Sequence, residues 1–143
     1  MAGRALARSV MALPGWQVRI GGPNLDKALA AARTLGCEGA RADLRDAASL
    51  DRFLEGAHWV ALACAANWTE EAAQAALRNG CHWLDVQLSL PSKHQALERF
   101  RQTFEERGLC CATDGGFHPG MPATMVRWAL EREPGTLRAD VFS

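Results

Sequence analysis

"MAGRALARSV" (Met1–Val10) decides how the rest of the chain is read. A glycine stands directly ahead of a stretch whose apolar positions, Ala5, Leu6, Val10 and Leu13, share one side of a helix until Pro14-Gly15 breaks it. Met1-Ala2-Gly3 therefore fits the last three positions of G-x-G-x-x-G, a pattern that joins a strand to a helix. On this reading Met1 fills an x position, Gly3 lets the helix lie close to a sheet, and Arg4 stands where it can meet a phosphate. The strand and the first two glycines would lie ahead of Met1, so the domain is expected to be incomplete at its N-terminus.

Composition narrows the class. A chain of 143 residues holds one domain, and 48% hydrophobic with 22% charged residues is the balance of a globular protein. The 16 basic and 16 acidic side chains cancel, which leaves no electrostatic case for nucleic acid or an anionic membrane. No apolar run approaches the roughly 20 residues of a membrane helix, and no cleavable apolar leader follows the first arginines, so the cytoplasm is the expected setting. The five cysteines, Cys37, Cys64, Cys81, Cys110 and Cys111, form no C-x-x-C pair and read as reduced, small core residues.

Beyond Pro14-Gly15 extended and helical stretches alternate. "WQVRI" (Trp16–Ile20) reads as a strand, and Asn24 caps a helix to Leu35 with Asp26 in its first turn. A weak strand over Gly39–Leu44 leads to a helix capped by Asp46 and ended by Gly56. "HWVALACAA" (His58–Ala66) is apolar nearly throughout, as a central parallel strand covered on both faces is. Thr69 opens a helix to Asn79-Gly80, followed by the strand "HWLDV", a helix over Pro91–Arg107, the strand "GLCCAT" and a last helix from Met121 to about Glu133. "TLRADVFS" begins another extended segment. The pattern is that of an α/β, doubly wound parallel sheet built from βαβ units, over residues 1–135, with 136–143 opening a second domain.

In such sheets a ligand lies beyond the carboxyl ends of the strands. Gly21-Gly22, the run Ala63, Cys64, Ala65, Ala66, and Gly115-Gly116 stand there, small enough for a flat adenine or nicotinamide ring to approach the backbone. Glycines at strand-to-helix turns equally serve the turns themselves. No acid ends the second strand to hold a ribose, and Arg4 near Gly3 tips the choice of cofactor toward NADP over NAD. Asp43 either accepts from an adenine amino group or caps a turn, and Asp85 points from its strand end toward the substrate side or braces a loop. His58 and His82 start strands, at the far end from the ligand, and His94 lies in the exposed first turns of a helix. His118 stands at the ligand edge, as an acid or base or as a loop-shaping residue.

"GRALARSV", "GGPNLDKALA", "ADLRDAASLDRFLEGAHWVALACAA", "ALRNGCHWLDVQ" and "GGFHPGMPATMV" together resemble, in that order, the NAD(P)-binding domain of saccharopine dehydrogenase-like oxidoreductases, over about residues 3–130. The resemblance implies a Rossmann domain for the dinucleotide and a second α/β domain that supplies most of the substrate pocket. It implies hydride transfer between nicotinamide and the carbon of a secondary amine or imine, on a small-molecule substrate that this chain does not identify. Gly3 matches the last glycine of the pyrophosphate loop; Gly21 and Asn24 match a Gly-Arg-Asn segment in which Gly22-Pro23 replaces the arginine. Asp43 matches the acid after the third strand, and Ala63 to Ala66 match small residues bordering the ribose and nicotinamide. His118 stands where relatives have Asp or another small polar residue.

A Rossmann sheet places its first strand between the second and fourth. Without it, "WQVRI" and "HWVALACA" expose hydrogen-bonding edges in mid-sheet, and three or four buried apolar side chains are forgone, about 5–12 kcal/mol. That is comparable with the whole stability of a typical domain, about 5–15 kcal/mol. Such edges invite pairing with other chains, which opens a route to a homo-oligomer. Either the two strands close up on each other, or the chain folds poorly alone, or the sequence is incomplete, and the last is the preferred reading. The expected function is a cofactor-binding domain, inactive alone. Two alternatives stand beside it: a non-catalytic binding or regulatory module, and an interaction subunit that uses the open edges.

Overall fold

A computed structural model describes residues 2–116 and 121–132. The elements follow as α1 (Ala2–Met11), β1 (Arg19–Gly22), α2 (Leu25–Leu35), β2 (Glu38–Arg41), α3 (Ala47–Leu54) and β3 (Trp59–Leu62). A 3-10 turn (Ala66–Trp68) then leads to α4 (Thr69–Arg78), β4 (His82–Asp85), α5 (Pro91–Glu106), β5 (Cys111–Ala112) and α6 (Met121–Arg132). Helix starts follow their caps: Asn24 Oδ1 accepts from Lys27 N (2.9 Å) and Asp46 Oδ1 from Ser49 N (3.1 Å).

All strand pairs are parallel, and they fall into two sheets, β1-β2 and β3-β4-β5. Among the described residues β1 pairs with β2 alone and β3 with β4 alone, so each keeps one open edge. Strands β1 and β3 have not closed up on each other. Among the described residues no strand lies between them, where a Rossmann order places its first.

Each strand is shorter than the stretch of sequence that announced it. Trp16 belongs to the turn after α1, its N–H donating to Leu13 O (3.4 Å), and ladder bonding begins at Val18, whose carbonyl accepts from Glu38 N (3.2 Å). Strand β2 ends because the chain turns at Asp43, whose carbonyl accepts from Asp46 N (3.0 Å). In "GLCCAT" Cys111 and Ala112 alone pair, opposite Trp83 and Leu84. The segment 136–143 lies outside the described residues.

The core lies between β3-β4 and helices α3, α4 and α5, around Trp83, Phe104, Leu54 and the alanines of α4. Val60 and Leu62 turn toward it, but Trp59 (39% exposed) and Ala61 occupy the open opposite face. The expectation that this strand is covered on both faces is thus corrected: the apolar run serves one covered face and one open one, where Trp59 rests on the His82 ring at 4.7 Å. The cysteine reading is corrected too. All five are free, but Cys81 alone is fully buried, while Cys64, Cys110 and Cys111 are exposed at strand ends.

Close approach explains two glycines. A Cβ at Gly39 would stand 2.7 Å from Ala32 Cβ and 3.1 Å from Ala28 O, because α2 lies directly on β2. One at Gly21 would stand 2.5 Å from the Phe53 ring of α3. Gly39→Ala is therefore expected to cost about 1–3 kcal/mol, since backbone must move. Gly22→Ala, with nothing within 4 Å of its Cβ, is expected to stay within about 0.5 kcal/mol. Urea midpoints of the two variants check the contrast.

Candidate functional site

The carboxyl ends of the strands gather most of the residues expected there. Helix α1 brings Gly3 to the end of β3, where a Cβ would meet Ala63 Cβ at 3.6 Å, an ordinary contact. Ala63, Cys64 and Ala65 are exposed after β3, and the space beyond Gly22 is open. These small positions, beside a helix N-terminus, leave backbone accessible to a flat ring or a phosphate.

The polar candidates have other partners. Asn24 caps α2. The buried Asp43 carboxylate accepts from Arg45 Nε (2.9 Å), Arg45 Nη2 (2.9 Å) and Arg41 Nη2 (3.1 Å). Those bonds, Arg45's first, hold its carboxyl far below the usual carboxylate range. Gly115 and Gly116 are small for the chain's own sake: a Cβ would stand 3.2 Å from Asp85 O at the first and 2.8 Å from Val86 O at the second. Arg4 is exposed in the first turn of α1, and His118 lies outside the described residues.

Beyond β4 and β5 stands a polar cluster that the sequence showed only through Asp85. Asp85 is fully buried; its Oδ2 accepts from Thr113 Oγ1 (2.6 Å) and Trp83 Nε1 (3.1 Å). Its Oδ1 accepts from Gln87 N (3.2 Å) and from the buried Lys93 ammonium (2.9 Å). Lys93 also pairs with Asp114 Oδ1. Asp114 Oδ2 lies 3.2 Å from Ser89 Oγ and 3.1 Å from His94 Nε2, and these two are 2.8 Å apart. Gln87 Nε2 reaches the other way, donating to Cys64 O (3.2 Å) and Ala65 O (3.0 Å), so it fixes the loop after β3 against β4.

One signal was available. Lys93 stands third in α5, where a positive charge opposes the helix dipole unless carboxylates face it. Burial pushes the Asp85 carboxyl up, but the Thr113, Lys93 and Trp83 hydrogen bonds outweigh it and the group stays below its ordinary value. Burial likewise pulls Lys93 down, and its bonds to Asp114 and Asp85 hold it above the ordinary range. Asp114 adopts φ +60°, a left-handed conformation that costs a residue with a side chain about 1–3 kcal/mol.

No family model and no curated protein sequence matches the chain. Solved structures do match. Apo saccharopine dehydrogenase (L-Glu forming) from Saccharomyces cerevisiae superposes with a TM-score of 0.75 at 17% identity, covering 90% of this chain and 28% of that one. The chain has a Rossmann-like fold. An NADPH-dependent quinone oxidoreductase from Escherichia coli matches at TM-score 0.59 and 21% identity, over 91% of this chain and 49% of that one. Citrobacter sp. triphenylmethane reductase complexed with NADP(H) matches at 0.56 and 20%, over 72% and 42%. The chain thus spans less than half the length of each of these proteins. Among the described residues no helix is long and apolar enough to cross a membrane.

The buried pair sets a pH response. A carboxyl held below its unfolded value, about 3.9 for Asp, contributes stability that is fully present above that value and lost as pH falls through the folded one. Lys93→Met is expected to cost about 3–5 kcal/mol at neutral pH by leaving Asp85 without its cation. The acid limb of stability is expected to move to higher pH in the variant. Urea unfolding at a series of pH values below neutrality checks both; an unchanged acid limb would show that Lys93 does not hold Asp85 ionised.

Proposed function

We propose that the chain is the dinucleotide-binding part of an NAD(P)-dependent oxidoreductase that transfers hydride to or from a small-molecule substrate. The observation that carries this reading is the meeting of the α1 N-terminus, at Gly3, with the exposed small residues Ala63 to Ala65 at the end of β3. A phosphate suits the first feature and a nicotinamide the second. Gly3, Gly22 and Ala63 to Ala65 would hold the dinucleotide, which supplies the hydride; NADP is preferred through Arg4. Substrate recognition falls to a second domain that begins after about residue 135. The setting is cytoplasmic, and neither nucleic acid nor membrane is a partner.

The open edges of β1 and β3 support a further part of the reading: a parallel strand ending in G-x-G completes the sheet between them. Until it does, those edges can pair with a second copy of the chain. One observation favours a non-catalytic binding module instead, since Asn24 and Asp43 already have partners within the chain.

Tryptophan-to-NADPH energy transfer separates the two readings. Micromolar binding, by the chain or by a version extended with an upstream strand-G-x-G segment, is the expected result; no binding by either favours the module. The extension is also expected to raise the melting temperature by about 10 °C or more, from the apolar side chains it buries.

A further inference from the structure

Ser89 follows β4, His94 lies in the early turns of α5, and Asp114 follows β5, so three elements bring them to one rim at the carboxyl ends of the strands. Beneath them the charges do not balance. Two carboxylates, Asp85 and Asp114, face one ammonium, Lys93, and the remaining negative charge emerges at Asp114 Oδ2. The groups facing that oxygen are the Ser89 hydroxyl and the His94 imidazole, whose side chain is 47% exposed. The left-handed backbone of Asp114 is the geometry that lets one carboxylate face Lys93 inward and this pair outward. Two residues before Ser89, Gln87 binds the carbonyls of Cys64 and Ala65, which ties this rim to the stretch assigned above to the nicotinamide.

We propose that Ser89 and His94 are the proton-transfer pair of the hydride-transfer reaction, positioned by Asp114 on the buried Lys93. This rests on the cofactor reading of the previous section. In the reducing direction a bound nicotinamide would supply a hydride to the carbon of a C=N or C=O bond and be oxidised, and the heteroatom would need a proton. That proton leaves Ser89 Oγ as His94, in its doubly protonated form, passes the Nε2 proton to the same oxygen, and solvent reprotonates the neutral imidazole left behind. The reverse direction returns both.

The test uses the native chain, with NADP+ as probe and diethyl pyrocarbonate as the histidine reagent, sites being mapped by mass spectrometry. Bound NADP+ is expected to slow modification of His94 by about fivefold or more and to leave His58 and His82 unchanged, because general acid–base groups lie against the reacting centre. Binding without protection of His94 overturns the proposal and leaves the cofactor reading standing. Failure of both the native chain and the version extended with the upstream strand-G-x-G segment to bind NADP+ overturns both, and where the extended version alone binds it is the one mapped. A second arm reads NADPH oxidation with the small cyclic imine Δ1-piperideine. His94→Gln, which keeps a hydrogen bond to Ser89 but carries no transferable proton, is expected to lower kcat by about 10²-fold or more, with NADPH affinity unchanged. Equal measurable rates in the two proteins overturn the role; where the chain without its substrate domain turns nothing over, the protection of His94 decides.

Discussion

Arg19, at the start of β1, donates from Nη1 to the carbonyls of Phe53 and Glu55 at the end of α3, at 2.7 and 3.1 Å. Elsewhere on α3, Asp51 accepts from Arg78 at the end of α4 and from Asn79, which caps it, at 3.0 and 2.9 Å. Among the described residues no backbone ladder joins β1 and β3, and α3 is a main link between the two sheets. Leu50 and Leu54 enter the main core while the Phe53 ring lies over Gly21 of the first sheet. An eight-residue helix therefore carries a connection that in a continuous sheet belongs to a strand.

Much of the architecture was legible from local chemistry. Caps at Asn24 and Asp46, the break after Leu35 and the proline opening α5 mark helices because each satisfies or removes an end group of the backbone. Strand lengths were less legible. An apolar run such as His58–Ala66 says that a segment avoids water, but the ladder lasts only as long as a neighbour's does, and β3 has a neighbour on one side alone. Exposure of Trp59 and Ala61 has the same origin.

The site was legible where it depends on small size and opaque where it depends on charge meeting across the chain. Ala63 to Ala65 announce themselves by composition. Lys93 reads as a surface lysine until β4 and β5 bring Asp85 and Asp114 to it, and no local pattern specifies a positive φ at Asp114. Asp43 shows the converse. Its position at a strand end suggested a ligand contact, yet Arg41 and Arg45, each two residues away, already surround it.

The start of α5 has a consequence for how the protein forms. Leu90 gives no side-chain cap, the first turn carries no acid, and its one charged residue, Lys93, has the sign that the helix end disfavours. Taken alone, this end of α5 would fray. Asp85 and Asp114 do from outside what a capping carboxylate would do from within, and they arrive with different strands. The first turn of α5 is thus stable only when β4 and β5 are in place, which makes the three elements one cooperative unit that opens and closes together. The rim of Ser89, His94 and Asp114 sits on that unit, so its geometry persists whole or is lost whole.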